Sequence, residues 1–402
     1  MIIHPFAALR PKPEYAKDIA ALPYDVVSEQ ESRDAYTTNP KTFLGVDRPE
    51  ATLPPNIDPY DDQVYLKGAA NLVELANKYM EKESKPAFYI YQLTFEGRSQ
   101  TGLACLVNVA DYDNDKVKKH EKTRPVKEKD RVKHIVNLGA HTGPILTSYK
   151  GDTTVEGLLE NWKKNNAPIY DFTSVDTIEH KVWVINDDSV ISDIENAFKN
   201  VEELYIADGH HRAAGASIAH KELGLSTSSA YLSVLFAKDQ LTIIDYNRVL
   251  ADFNGKTKDE FLVELGEKFE IKESGSAVKP TNAAQFGLYT DKKWYTLTAK
   301  ESQPTDAVGC LPVSILTNNV IEPILGITDQ RTDKRIDFVG GTRGTEELVN
   351  LVDSGKWALA FSLFPTTMDQ LIAVADANLL MPPKSTWFEP KLYSGLLINV
   401  IK

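Results

Sequence analysis

ELYIADGHHRAAGASIAH, residues 203–220, joins an apolar run to a run of small helix formers through a single Asp-Gly turn. Residues 203–207, apolar from Leu204 to Ala207, have the length and composition of a buried strand, and residues 211–223 read as a helix. A helix start carries backbone N–H groups without intrahelical partners and the positive end of the helix dipole, which makes it a ready site for an anion. Gly209 lets the backbone approach a ligand or take a positive φ. Arg212 adds a planar fork of donors suited to phosphate oxygens, and His210 and His211 add donors that titrate near neutral pH. Asp208 can cap the helix, hold Mg2+ or orient a histidine. A capped helix with surface histidines is the plainer alternative, but two of only eight histidines stand side by side here, next to an arginine. Zinc is the weaker option, because adjacent histidines point in different directions on a helix.

Outward from this turn the pattern alternates. Helices are expected near residues 29–37 and over 60–83, 125–137, 155–164, 188–200, 258–268, 345–353 and 368–376. Strands are expected over 87–95 and 101–109, turned at Glu96-Gly97, and over 144–149, 177–185, 336–339 and 357–363. Residues 230–237 and 241–250 read as a hairpin across Lys238-Asp239-Gln240, and 286–297 as two short strands turned at Asp291-Lys292. Residues 1–59 are proline-rich and read mostly as extended loops, and 274–284 as a linker. Strands alternating with helices, with antiparallel hairpins among them, give an α/β (mixed α+β) protein. No repeat or low-complexity tract interrupts it.

The 402 residues suffice for two or three domains. Hydrophobic residues make up 42% and charged residues 25%, a composition that supports packed cores. A net charge of −12 opposes broad binding to a nucleic-acid backbone, and no clear helix-turn-helix is present. The opening MIIHPFAALRPKPEY lacks the pattern of a secretory signal, and apolar runs such as LSVLFA are far shorter than a membrane span, so the cytoplasm is the expected location. Cys105 and Cys310 sit in apolar company and are expected to be buried thiols, with nothing in favour of a disulfide.

Three further stretches carry candidate chemistry. In LLMPPKSTWFEPKLYSGLL, prolines stiffen a loop that presents Lys384, Ser385 and Thr386 as donors for phosphate or a substrate carboxylate. In VKKHEKTRPVKEKDRVKHIV, a helix bearing Lys127, Arg131 and His134 forms a basic stripe, with His120 and Glu121 in the loop before it. In RPKPEYAKDIAALPYDVVS, Arg10 and Asp25 lie among prolines, Asp25 as a general base or metal ligand. No Walker loop and no dinucleotide fingerprint occur, and Gly340–Gly344 is read as a turn without the phosphate-loop lysine.

Taken together, IHPFAALRP with LPYDVVS, KKHEKTRPVKEKDR, ADGHHRAAGA and MPPKSTWFEPKLYSGL resemble the family of domain of unknown function 1015 over nearly the whole chain. The core run is also similar to the phosphate-binding turn of the ParB/sulfiredoxin-like superfamily, whose free serine kinases carry an Asp-Gly-His-His-Arg run. That resemblance implies a ParB/sulfiredoxin-like core elaborated by hairpins and a C-terminal α/β lobe. It places Asp208, Gly209, His210, His211 and Arg212 around donor phosphates, and implies transfer from ATP, ADP or pyrophosphate to a small hydroxy acid, above all free L-serine.

In this reading Asp25, Glu121 and His211 are catalytic candidates, and Arg10, His120, Arg131, Lys384, Ser385 and Thr386 bind substrate. Mg2+ accompanies the donor, with Asp208 as its candidate ligand. The alternative is a non-catalytic protein that binds a nucleotide or phosphometabolite. The expected division is 1–252, with the anion site, and 253–402, whose PPKST loop returns to it. Neither nucleic acid nor membrane is an expected partner, and the oligomeric state is open. Arg212→Ala is expected to weaken donor binding by about 1.5–3 kcal/mol and to leave the melting temperature of the free protein nearly unchanged.

Overall fold

The computed structural model describes residues 1–301 and 304–402 as a mixed α/β protein in two compact units, Met1–Leu241 with Pro390–Lys402, and Thr242–Glu389. In the first unit the strands of the main sheet are β1 (Ile3–His4), β2 (Phe88–Phe95), β3 (Arg98–Asn108), β4 (Val117–Lys118), β5 (Ile145–Tyr149), β6 (Tyr170–Thr173), β7 (Glu179–Ile185), β8 (Leu204–Asp208) and β9 (Ala230–Ala237). They form one mixed sheet in the order β4-β8-β5-β9-β3-β2-β7-β6, with β1 added to the far end of β3. The pairs β8/β4 and β9/β5 are parallel and the rest antiparallel.

The longer helices of this unit are α1 (Glu29–Thr38), α2 (Asp62–Tyr79), α3 (Pro125–Leu138), α4 (Thr153–Asn165), α5 (Asp188–Phe198) and α6 (His210–Leu223). Local chemistry explains their starts. Ser28 and Glu31 form a capping box on α1, and Asp61, Asp152 and Asp187 cap α2, α4 and α5 through first-turn amides. Pro125 opens α3 where its missing N–H costs nothing.

One core buries Phe88, Ile90, Leu103, Cys105, Val107, Leu204 and Ile206 with Ala213, Ala216 and Ala219 of α6. A second gathers Ile19, Phe43, Val46, Leu72, Leu75 and Ile398. Small residues let α6 approach α3 closely: a Cβ on Gly215 would stand 2.8 Å from Arg131 Cβ.

The end of the chain is stitched into this unit. Ile398 exchanges main-chain hydrogen bonds with Leu9, and Ser394 with Ala21; Asn399 pairs with His141. The second unit has its own antiparallel sheet of β10 (Tyr246–Leu250), β11 (Phe269–Ser274), β12 (Gln285–Thr290), β13 (Lys293–Ala299), β14 (Ile336–Gly340) and β15 (Leu359–Leu363), in the order β11-β13-β12-β15-β10-β14. Helices α7 (Lys258–Lys268), α8 (Gly344–Asp353) and α9 (Met368–Asp376) accompany it. No helix of the described residues is long and apolar enough to cross a membrane.

Two features depart from expectation. Residues 230–237 and 241–250 do not form a hairpin: β9 pairs with β3 and β5, while β10 pairs with β14 and β15 in the other unit's sheet. The turn residues between them fold as a 3-10 turn that carries the chain out of the first unit. Cys105 is buried and free as expected, whereas Cys310, also free, is only half-buried.

Candidate functional site

The turn between β8 and α6 is shaped by two backbone features. Beside β5 the register of β8 shifts between Ile206 and Asp208, a bulge that re-aims Asp208 at the strand's end. Gly209 follows at φ +103°, a conformation L-residues rarely adopt, and a Cβ there would stand 3.0 Å from Arg212 Nε. The Arg212 guanidinium therefore folds back over the turn and occupies the space that a side chain at 209 would need. Gly209 has no side chain to cap α6, and no described residue accepts from the amides of His210, His211 or Arg212.

Charge at this corner is arranged in pairs. Arg212 Nη2 donates to Asp208 Oδ2 at 2.6 Å and Nη1 to the Pro144 carbonyl at 2.5 Å, while Nε, on a residue only 9% exposed, has no partner among the described residues. Lys391 Nζ lies 3.4 Å from the other Asp208 oxygen. Burial alone would raise the Asp208 carboxyl, but Lys391 and Arg212 hold it below its ordinary value.

Around this centre stand three further groups. His120 and His210 meet edge to face with centroids 4.4 Å apart, and Glu121 Oε2 is 3.9 Å from His210 Nδ1. Asp25 is exposed, and its charge favours the protonated forms of both Arg212 and His211. Arg131 is buried, paired with Asp130 at 2.9 Å, with its guanidinium carbon 3.7 Å from the centroid of the Tyr24 ring. A cavity of about 30 Å³ lies beside these groups, lined among others by Tyr24, Asp47, Arg131, Thr142, Arg212 and Ser394. It has room for about two water molecules.

The sequence-derived candidates thus fall in three places. Asp25, Glu121, His120, Arg131, Asp208, Gly209, His210, His211 and Arg212 belong to one corner of the first unit. Arg10 is committed elsewhere, to Glu81 at 2.7 Å and Glu83 at 2.6 Å, where it fastens the short strand Leu9–Pro11 to its partner Met80–Lys82. Lys384, Ser385 and Thr386 lie in the second unit. There Lys384 is exposed at φ +57°, its ammonium 5.5 Å from the Tyr246 ring centroid, and the Ser385 hydroxyl donates to the Pro382 carbonyl at 2.7 Å, closing its own loop.

The expected basic stripe on α3 is not a solvated face: Arg131 and His134 are buried, because that side of the helix packs on α2 and α6. Asp208 does not suit Mg2+, since an ammonium and a guanidinium already take its two oxygens. No group of three metal-ligating side chains occurs among the described residues. A carboxylate also has no proton to donate to a phosphate, so Asp208 serves to orient the two cations. Sequence reasoning missed Lys391 as a member of the site, and with it Tyr24, Asp47 and Ser394. The only local signal for Lys391 was the proline before it.

Gly209→Ala is expected to destabilise the protein by about 1–3 kcal/mol, the usual cost of an unfavourable backbone conformation. It also displaces the Arg212 guanidinium. Thermal unfolding reads the effect, and an unchanged melting temperature would mean that the turn relaxes without strain.

Residues 3–316, which include this whole turn, match the model of a family described as a protein of unknown function, DUF1015. The chain belongs to the DUF1015 family. A comparison of this DUF1015 protein with curated proteins found no match. Among solved structures it is similar to a conserved hypothetical protein from Pyrococcus furiosus, with 15% identity and a TM-score of 0.36 over 72% of this chain and 92% of that one. It is also similar to a free serine kinase in complex with AMP, with 14% identity and a TM-score of 0.37 over 71% and 86%. A third is SbnI with a C-terminal truncation from Staphylococcus aureus, with 11% identity and a TM-score of 0.36 over 74% and 87%. The geometry of the turn, and not these likenesses, supports the functional reading of the DUF1015 protein.

Proposed function

We propose that this DUF1015 protein is a small-molecule phosphotransferase that binds a phosphoanhydride donor, ATP, ADP or pyrophosphate, at the Gly209–Arg212 turn. Its proposed acceptor is the hydroxyl of a small hydroxy acid, free L-serine first. The observation that carries this reading is a helix start whose first amides are unpartnered, beside a buried guanidinium with a spare Nε–H. Phosphoryl transfer asks a protein mainly for positioning and for neutralisation of charge, and this corner supplies both kinds of group.

The donor's terminal phosphates rest on the amides of His210–Arg212 and on Arg212, with the Lys391 ammonium adding positive potential. The acceptor oxygen forms a bond to the terminal phosphorus as the bond to the leaving phosphate breaks, and its electron pair stays on the leaving oxygen. The hydroxyl proton passes to a carboxylate, Glu121 or Asp25.

The test is incubation of the purified protein with L-serine and each donor, with O-phosphoserine measured by mass spectrometry. Product with at least one donor is expected. Its absence with all three removes serine, and absence of turnover across a panel of hydroxy acids removes the reaction class. A second reading is binding without turnover, because Asp25 is exposed and Glu121 Oε2 stands 3.9 Å from His210 Nδ1, beyond hydrogen-bond reach. Calorimetric binding of ADP that survives Asp25→Asn and Glu121→Gln, without product, would identify that case.

A further inference from the structure

The two histidines of the turn are engaged in a way that the sequence does not disclose. The main-chain N–H of His120 points at His210 Nε2 at 3.4 Å, and the main-chain N–H of Arg124 at His211 Nε2 at 3.0 Å. A backbone N–H only donates, so each Nε2 must be the bare nitrogen and each imidazole proton must sit on Nδ1. His210 Nδ1 in turn faces Glu121, the residue between the two tethered amides.

We propose that His210 and His211 are positioning residues. Each lends an unprotonated Nε2 to one end of the segment 120–124, and together they hold Glu121 beside the anion site as the carboxylate that receives the acceptor's hydroxyl proton. The role of Glu121 rests on the phosphotransferase reading; the tether does not. Asp25 is the poorer-placed base, because it is exposed and lies outside the segment that the two imidazoles hold.

The tether requires neutral imidazoles. His210 is faced by His120, Glu121, Asp208, His211 and Arg212, and His211 by Arg124, Lys127, Glu128 and Asp25. Burial, the largest influence on both rings, favours the neutral form.

The experiment compares the full chain with His211→Gln, which keeps an uncharged acceptor near the Nε2 position, and with His211→Leu, which removes it. Hydrogen exchange of the Arg124 amide, phosphoryl transfer and ADP affinity are measured on each. His211→Leu is expected to raise exchange on the order of tenfold and to lower kcat by tenfold or more, the usual effect of a misplaced catalytic group. ADP affinity should stay within about twofold, and His211→Gln should restore both exchange and kcat to within about threefold of the parent. Unchanged exchange in His211→Leu, or a tenfold loss of ADP affinity in both variants, overturns the proposal, the latter by making the histidines phosphate ligands. If the parent protein turns over no acceptor, the phosphotransferase reading fails by itself, and the exchange measurement still decides the tether.

Discussion

Arg212→Ala is expected to lower the free energy of unfolding by about 3–5 kcal/mol, the range for removing one partner of a buried ion pair. The sequence alone presents Arg212 as a ligand-facing group whose loss leaves the free protein intact. Its environment reverses that expectation. The side chain is nine-tenths buried, its Nη atoms hold Asp208 and the Pro144 carbonyl, and its removal leaves Asp208 with Lys391 as its remaining cation. Chemical denaturation of the unliganded variant measures the effect. A loss below about 1 kcal/mol would mean that Lys391 and solvent satisfy Asp208 unaided. Arg212→Lys separates stability from binding. It keeps a cation against Asp208 but loses the planar fork, so ADP affinity should fall on the order of ten- to a hundredfold while most of the stability is retained.

A second large effect is expected from mild acid. Burial lowers the pKa values of His120, His141 and His180 to about 4, and His134 is shifted in the same direction by burial and by Arg131. In the unfolded chain these rings titrate near 6.5. Between about pH 6.5 and pH 4 the unfolded state therefore binds more protons than the native one, and stability falls as the pH falls through that window. By pH 5 each ring costs about 2 kcal/mol, so the protein should lose several kcal/mol relative to pH 7.

Asp208 contributes nothing to this loss. Its carboxyl is depressed, so its contribution persists above about pH 4 and disappears only in stronger acid. Urea unfolding at pH 7 and pH 5 tests the point. A midpoint that does not move would show that these imidazoles are hydrated or already protonated in the native state.

How far the sequence reaches is set by how local each cause is. Helix α7 lies where its pattern puts it, between Thr257 and Lys268, because the Thr257–Glu260 capping box and the apolar Phe261 and Leu265 are contained within the segment. The strand–turn–helix at Asp208–Gly209 was legible for the same reason. The hairpin across 238–240 was not, because two neighbouring strands choose partners more than eighty residues away in different sheets. Arg131 and His134 look like a solvent face by residue type, and only the packing of α2 and α6 on α3 makes them interior. Lys391 joins Asp208 across 183 positions of sequence, a proximity that no spacing rule can anticipate.

The return of Pro390–Lys402 to the first unit has a consequence for biosynthesis. A ribosome must finish the entire Thr242–Glu389 unit before the ammonium that neutralises Asp208 exists. Until then a nascent chain carries the arginine fork without its lysine, with the edges at Leu9, Ala21 and His141 unpaired. Any product that stops short of Lys391 would emerge with an unfinished ion cluster and unmatched main chain. Charge balance at Asp208 and closure of those main-chain edges therefore arrive together, with one late stretch of chain.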